Sequence, residues 1–236
     1  MTNQIEGAGA RCFALVPCAG TGARAGAAIA KQYVPIAGLA MVAHTLAALA
    51  AVPRLSATLV VLARNDEQFE RHVPAFAGER GWIARRGGVT RAETVRNGLS
   101  ELAERGALPN DWVLVHDAAR CLVRPEWITR LIDQCIDDDV GGLLAVPVAD
   151  TLKHGDDGRV ASTVDRTGKW AAQTPQMFRL GLLQQALADA GRDVTDEAGA
   201  IEALGLAPKL VMGALENFKL TWIEDFDMAQ RLLHRE

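Results

Sequence analysis

An apolar run, Ala14-Leu-Val-Pro17, leads straight into Cys18-Ala-Gly-Thr-Gly-Ala-Arg-Ala-Gly26, and Lys31 stands just beyond. Glycines let a backbone turn tightly and aim its N–H groups at an anion. Arg24 and Lys31 add cations, and no Asp or Glu lies between Glu6 and Asp66 to offset them. The chemistry this stretch suits is a grip on polyphosphate. Gly20-Thr-Gly22-Ala-Arg24-Ala25 formally matches a dinucleotide fingerprint, but that motif needs an acid about 20 residues on to hold the ribose hydroxyls. A P-loop fails because no Gly-Lys-Ser/Thr closes the turn. What is left is a purely structural glycine turn or a loop whose backbone can hold a triphosphate, and the company of Arg24 and Lys31 favours the second. Its cations are suited to stabilise charge on a phosphoryl group in transfer.

Asp117 ends a second apolar run, Val113-Leu-Val-His-Asp117. A carboxylate at the end of a buried strand is suited to Mg²⁺, which typically takes one or two carboxylates plus phosphate oxygens. Arg120, three residues on, is a further candidate phosphate contact. His116 reads as strand-end packing rather than as a ligand. Gly87-Gly88-Val-Thr-Arg91-Ala-Glu-Thr94 is a second glycine turn, opening a helix, where a flat base can approach the backbone. The four cysteines, Cys12, Cys18, Cys121 and Cys135, form no C-x-x-C pair and read as reduced thiols of a cytoplasmic protein. Cys18 has no sequence-near His to activate it as a nucleophile.

These residues need a scaffold. The 236-residue chain is 49% apolar with a net charge of -4, which fits one large α/β domain and disfavours broad nucleic-acid or membrane-surface binding. Residues 1–11 read as a loose tail, and 12–236 as the domain. Strands are expected at Phe13–Pro17, Thr58–Leu62, Trp82–Ala84, Trp112–His116 and Gly142–Val148. Helices are expected between them at Met41–Val52, Asp66–Val73, Arg91–Arg105 and Pro125–Ile136. That alternation predicts a mostly parallel sheet flanked by helices, a Rossmann-like α/β fold with ligands outside the strands' carboxyl ends. Asp150–His154 and Arg159–Val164 flank Gly155-Asp-Asp-Gly158, a hairpin signal. With few large apolar residues, the stretch at about 149–172 reads as a projecting arm that packs on a second subunit. Helices at Leu180–Ala190 and from Thr195 to Leu204, short strands at Lys209–Met212 and Phe218–Thr221, and a helix from Glu224 to Leu233 complete the chain.

The ordered set of segments resembles the 2-C-methyl-D-erythritol 4-phosphate cytidylyltransferases of non-mevalonate isoprenoid synthesis. The matching pieces are Val16 to Arg24, Lys31-Gln-Tyr33, Gly87-Gly88 with Arg91, His116-Asp-Ala-Ala-Arg120, Ala145-Val-Pro-Val148 and Asp150-Thr151. Val164-Asp-Arg166, Gln173-Thr-Pro-Gln176, Thr195-Asp-Glu-Ala198 and Asn217-Phe-Lys219 follow in the family's order.

The resemblance implies a nucleotidyltransferase that uses Mg²⁺ and CTP, acts on a sugar-alcohol phosphate, and is a homodimer with exchanged arms. By that likeness the backbone from Cys18 through Ala19, Gly20 and Thr21 to Gly22, with Arg24 and Lys31, holds the triphosphate. Gly88, Arg91, Thr94 and Ala118 border the nucleotide, and Asp117 carries the metal. Arg120, Thr151, Arg166, Thr174, Thr195 and Thr221 serve the acceptor; Lys219 joins Arg24 and Lys31 as a catalytic cation. Val89, Cys121 and Trp222-Ile223 depart from the family's usual residues, and none of these removes a charged candidate. Two other readings stay open: the same transfer to another polyol phosphate such as ribitol 5-phosphate, and a non-catalytic nucleotide-binding protein.

Overall fold

A computed structural model describes residues 9–20, 29–189 and 194–234. The apolar run ahead of the glycine loop is β1 (Cys12–Cys18). Its side chains alternate between two cores: Ala14, Val16 and Cys18 enter one, Phe13 and Leu15 the other. A strand covered on both faces reads as continuously apolar, as this one does. A 3-10 turn at Lys31–Tyr33 follows, then a small hairpin of β2 (Pro35–Ile36) and β3 (Leu39–Ala40). Next come α1 (Met41–Ala50), β4 (Leu55–Leu62), α2 (Phe69–His72), β5 (Gly81–Ala84) and α3 (Arg91–Glu104). β6 (Trp112–Val115), α4 (Pro125–Cys135) and β7 (Gly141–Pro147) close the first two-thirds. α2 is shorter than the expected Asp66–Val73 because Asp66 Oδ1 accepts from the N–H groups of Gln68 (3.0 Å) and Phe69 (3.1 Å), capping the chain there.

β8 (Leu152–Asp156) and β9 (Arg159–Val164) then form a separate antiparallel hairpin. Asp157 and Gly158 at its tip have φ of 45° and 73°. Two consecutive left-handed residues make the turn that matches strand twist, and Asp-Gly is the pair that accepts it. Every residue of β9 is exposed, as is β8 after Leu152. β10 (Trp170–Arg179), α5 (Leu180–Asp189), α6 (Glu197–Ala203), β11 (Lys209–Met212) and α7 (Ile223–Leu233) complete the described chain.

Seven strands form the main sheet in the order β11-β7-β10-β6-β1-β4-β5. All run parallel except β10, which is antiparallel to both β6 and β7. α1 and α4 cover one face through Val42, Leu46, Leu49, Ile128, Leu131 and Ile132. α3, α5 and α6 cover the other through Val95, Leu99, Leu102, Leu183 and Ile201. A smaller third cluster seats α7 by Ala229 against Ile36, Met41, Cys121 and Leu220.

Two expectations change. The chain after the hairpin is not simply the end of an arm. Trp170 already lies opposite Pro147, and Gln176–Arg179 pair with β6 in the middle of the sheet. The register breaks between Ala172 and Gln176, where Thr174-Pro175 is a cis peptide. The hairpin itself occupies Leu152–Val164. Phe218–Thr221 is not a strand. Leu220 is fully buried in the third cluster, its N–H donates to Ala119 O (2.9 Å), and its carbonyl accepts from Lys31 Nζ. The segment pairs with loops instead of with a ladder.

Candidate active site

The carboxyl ends of β1 and β6, with the loop that follows β5, open onto a cleft of about 620 Å³. Its walls come from Pro17–Gly20, Lys31 and Gln32, Met41, Gly88–Arg91 with Thr94, Asp117–Ala119, and Lys219 with Thr221. The two glycine loops touch. A Cβ on Gly87 would collide with Ala19 Cβ and come within 2.7 Å of Leu62 O. The Gly87 N–H donates to that same carbonyl at 2.8 Å. Glycine is what lets the second loop lie this close to the first.

Thr90 caps α3 by accepting from Glu93 N (3.1 Å), and Glu93 Oε2 accepts from Val89 N (2.8 Å). Thr94 Oγ1 accepts from Gly88 N (3.1 Å) and donates to Thr90 O (2.9 Å). The turn is thereby locked from behind, and Val89 projects into solvent at 96% exposure.

The charged floor is a chain of alternating sign. Lys219 Nζ donates to Asp117 Oδ2 at 2.7 Å, and Arg91 Nε donates to Asp117 Oδ1 at 2.7 Å. Arg91 Nη1 and Nη2 reach Glu197 Oε1 and Oε2 at 2.7 and 3.0 Å, a two-pronged pair. Burial alone would raise the Asp117 carboxyl; the charges of Arg91 and Lys219 outweigh that and hold it well below the ordinary carboxylate range. Burial opposes the charge on Arg91, and the carboxylates of Glu197 and Asp117 more than restore it.

Beneath Asp117 lies a buried polar network. Thr174 Oγ1 stands 3.0 Å from His116 Nδ1 and 3.0 Å from the Asp117 N–H, from which it accepts. His116 Nε2 lies 3.2 Å from Arg120 O. A carbonyl there calls for the neutral ring with its proton on Nε2, leaving Nδ1 to accept from Thr174. Burial pushes the His116 ring down to about 4, so it is neutral at pH 7. Arg120 Nη1 and Nη2 donate to Asn217 O (2.6 Å) and Ala172 O (3.1 Å). Arg120 donates to these carbonyls rather than to a carboxylate; burial lowers its pKa, with the nearby Asp117 charge opposing and Arg91 adding to the shift. Gln173 Nε2 donates to Ala214 O (2.7 Å), and Asn217 Nδ2 to Thr174 O (2.9 Å). These bonds fasten the loop carrying Lys219 onto β10.

The structure thus gathers Cys18, Ala19, Gly20, Lys31, Gly88, Arg91, Thr94, Asp117, Ala118, Lys219 and Thr221 around one cleft. Thr21, Gly22 and Arg24 lie outside the described residues. Arg120 and Thr174 sit behind the wall. Thr151 and Arg166 are exposed beside the hairpin, and Thr195 is exposed ahead of α6. None of those five lines the cleft. The helix cap at α6 is Asp196, whose Oδ1 accepts from Gly199 N at 3.0 Å. Cys18 is buried, and that burial pushes its thiol up, away from thiolate chemistry. Glu197, by its sequence an ordinary acid in the first turn of α6, joins the site through Arg91.

Asp117 is the one carboxylate among the cleft's described lining residues. No group of three or more His, Cys, Asp or Glu side chains suited to a metal occurs among the described residues. The site therefore fits a hard cation held by one carboxylate together with ligand phosphate oxygens, and not a metal caged by protein alone. Among the described residues no helix is long and apolar enough to cross a membrane.

A family model, 2-C-methyl-D-erythritol 4-phosphate cytidylyltransferase, matches residues 12–235. The enzyme of that name from Paraburkholderia phytofirmans is 53% identical over 232 residues, covering 95% of this chain and 97% of its own. The bifunctional enzyme IspD/IspF of Albidiferax ferrireducens is 58% identical over 223 residues and covers 94% of this chain. The chain spans about half (53%) of that bifunctional relative. A crystal structure of 4-diphosphocytidyl-2C-methyl-D-erythritol synthase is 42% identical with a TM-score of 0.86, covering 96% of this chain and 100% of that one.

Proposed function

The chain belongs to the 2-C-methyl-D-erythritol 4-phosphate cytidylyltransferase family, and from that membership we infer that it moves the cytidylyl group of CTP onto 2-C-methyl-D-erythritol 4-phosphate. The products are 4-diphosphocytidyl-2-C-methyl-D-erythritol and pyrophosphate. The observation that carries this reading is the convergence of Lys31, Arg91, Asp117 and Lys219 on one cleft built from two touching glycine loops.

The nucleophile is the acceptor's own phosphate, which is anionic at neutral pH. It attacks the α-phosphorus, a P–O bond forms, and the bond to the β-phosphate oxygen breaks as pyrophosphate leaves. No general base is required, and the neutral, enclosed His116 offers none. The physical obstacle is bringing two anions together, so positioning and cations do the catalysis. The N–H groups of Cys18, Ala19 and Gly20 line the place for the triphosphate. Lys31 is tied to the Lys219 loop through Leu220 O, and in this reading both lysines serve the reacting phosphate. Arg24, Thr21 and Gly22 extend the loop's grip by analogy with the family. Gly88, Thr94 and Ala118 border the base.

Asp117 would hold Mg²⁺, which supplies charge neutralisation of the triphosphate when bound with CTP. Asp117 stays ionised at any working pH because of its two cationic neighbours.

The exposed β8–β9 hairpin has no core of its own. A two-stranded hairpin is marginal alone and calls for a partner. We propose that it packs on a second copy of the chain and brings Thr151 and Arg166 to the partner's acceptor site, beside Thr195 and Thr221, with Arg120 and Thr174 supporting that wall from behind. The enzyme would work in the cytoplasm, with residues 12–236 as its domain, onto which Arg11 is fastened by its bonds to Asp111.

A panel of acceptors tests the reading. With CTP and Mg²⁺, pyrophosphate release should be fastest on methylerythritol 4-phosphate. Faster release on ribitol 5-phosphate would reassign the acceptor, and CTP binding without release on any acceptor would mean a non-catalytic protein.

A further inference from the structure

Glu197 has no place in the transfer just described, yet it is built into the site's charge chain. Its side chain is 1% exposed and does not line the cleft. Its ion-pair partner is Arg91, gripped at both terminal nitrogens. A buried ion pair is a poor stabilising device, because well-packed apolar residues usually serve as well. The residues around it, Ala198, Ala200 and Ile201, belong to the apolar core. Glu197 is itself held still: Gln176 Oε1 accepts from Ala198 N (2.8 Å), and Gln176 Nε2 donates to Asp196 Oδ2 (2.9 Å).

The geometry of Arg91 gives the arrangement a direction. With Nη1 and Nη2 committed to Glu197, the guanidinium presents only Nε to Asp117. A planar fork held on one edge cannot turn to follow a ligand. Lys219 is the opposite case. It is an ammonium on a flexible stem, its side chain 45% exposed against 27% for Arg91, and its hydrogen bond goes to Asp117 alone. The four charges sum to zero while Lys219 is in place. When Lys219 leaves for a phosphate, one negative charge remains. It faces the cleft at Asp117, because Glu197 is enclosed behind Arg91.

We propose that Glu197 is a positioning residue for the transfer: by clamping Arg91 it keeps Asp117 aimed at the cleft when Lys219 swings away to a substrate phosphate. Lys219 is then the exchangeable cation and Arg91 the fixed one. Departure of the first opens a place on Asp117 for a divalent cation arriving with the triphosphate. This rests on Asp117 being the metal carboxylate and Lys219 a phosphate contact, as proposed above.

The test uses the whole chain, with Mn²⁺ as the probe in the presence of CTP and free Mn²⁺ read by electron paramagnetic resonance. In Glu197→Gln, Mn²⁺ affinity and kcat should both fall roughly 10–100-fold, as for other outer partners of a metal ligand, with KM for CTP near wild type. In an Arg91→Gln background the same substitution should cost nothing further, because Glu197 acts through Arg91. Wild-type Mn²⁺ affinity and kcat in Glu197→Gln, with only a lower Tm, would overturn the proposal. So would an equal additional loss in the Arg91→Gln background.

Should either single variant fail to fold, the Arg91→Met/Glu197→Gln double variant removes both buried charges. Weakened Mn²⁺ binding by that variant supports the proposal, and wild-type binding overturns it. A wild-type enzyme that binds no Mn²⁺ with CTP would instead sink the underlying assignment of Asp117. Failure of the positioning role alone would leave wild-type binding intact.

Discussion

Lys219 Nζ lies 2.7 Å from Asp117 Oδ2, across 102 positions of sequence. The pair joins the loop after β6 to the loop ahead of α7, and so joins the nucleotide side of the cleft to the side proposed for the acceptor. Lys219→Met would leave Asp117 paired with Arg91 and remove a cation from the reacting phosphate. Pyrophosphate release should fall roughly 100- to 1000-fold, the usual cost of losing one preorganised charge contact. Tm should change little, since Lys219 is half-exposed and the buried Asp117 keeps its Arg91 partner. Steady-state kinetics beside a thermal melt would check both halves.

Lys31 should behave in the same way for a different reason. Its ammonium donates to Leu220 O from the far wall of the cleft. Lys31→Met is expected to slow pyrophosphate release by a comparable factor, roughly 100- to 1000-fold. Release at the wild-type rate would show that Lys31 serves only to tie the loops together.

Gly87 is tested by one methyl group. A Cβ there meets Ala19 Cβ and the Leu62 carbonyl. Gly87→Ala must push the two glycine loops apart, an overpacking cost of about 1–3 kcal/mol. CTP binding measured by calorimetry should weaken along with the drop in stability. Unchanged CTP affinity would mean that the contact between the loops is not part of the nucleotide site.

The enclosed His116 predicts an acid-sensitive fold. A histidine in the unfolded chain takes up a proton near pH 6.5, whereas this ring resists protonation down to about 4 because it is buried. Between those values the unfolded state binds the extra proton, so stability falls as pH drops through that window. The loss amounts to about 3 kcal/mol when complete. Urea denaturation from pH 7 to 4.5 should show this slope, and His116→Gln should flatten it.

Much of this could be read in the residues. β1 and β6 are short apolar runs ending in a glycine loop and in Asp117, and both lie where sheet geometry puts ligands. α3 is legible from Val95, Leu99 and Leu102 on one face and from the Gly87-Gly88 turn ahead of them. β10 did not, because Gln173-Thr-Pro-Gln176 is polar and breaks the register in the middle of a central strand. Those side chains face the network under Asp117 and not a core, so apolar alternation was absent where it would have been sought. Phe218–Thr221 misled in the opposite sense: Phe218 and Leu220 alternate like a strand but pack under α7. Glu197 was hidden because an acid in a first helical turn has an ordinary local explanation. Its partner, Arg91, is 106 residues away, a separation that only the assembled fold reveals.

The proposed exchange of arms has its own test. An Arg166→Ala chain and a Lys31→Met chain are each expected to be nearly inactive. Mixed under conditions where subunits exchange, they should regain activity, because a hybrid holds one site with both residues intact. No recovery, with hybrids demonstrated by mass, would place Arg166 in its own chain's site or in none.

The central claim is that Asp117 and its cations make a cytidylyl-transfer centre. The most direct measurement is product formation from CTP and methylerythritol 4-phosphate with Mg²⁺, comparing wild type with Asp117→Asn, which keeps the shape and removes the charge. Wild type should yield 4-diphosphocytidyl-2-C-methyl-D-erythritol and pyrophosphate in equal amounts. The variant should be slower by roughly 100-fold or more. Equal rates in the two proteins, or no product from wild type, would contradict the account.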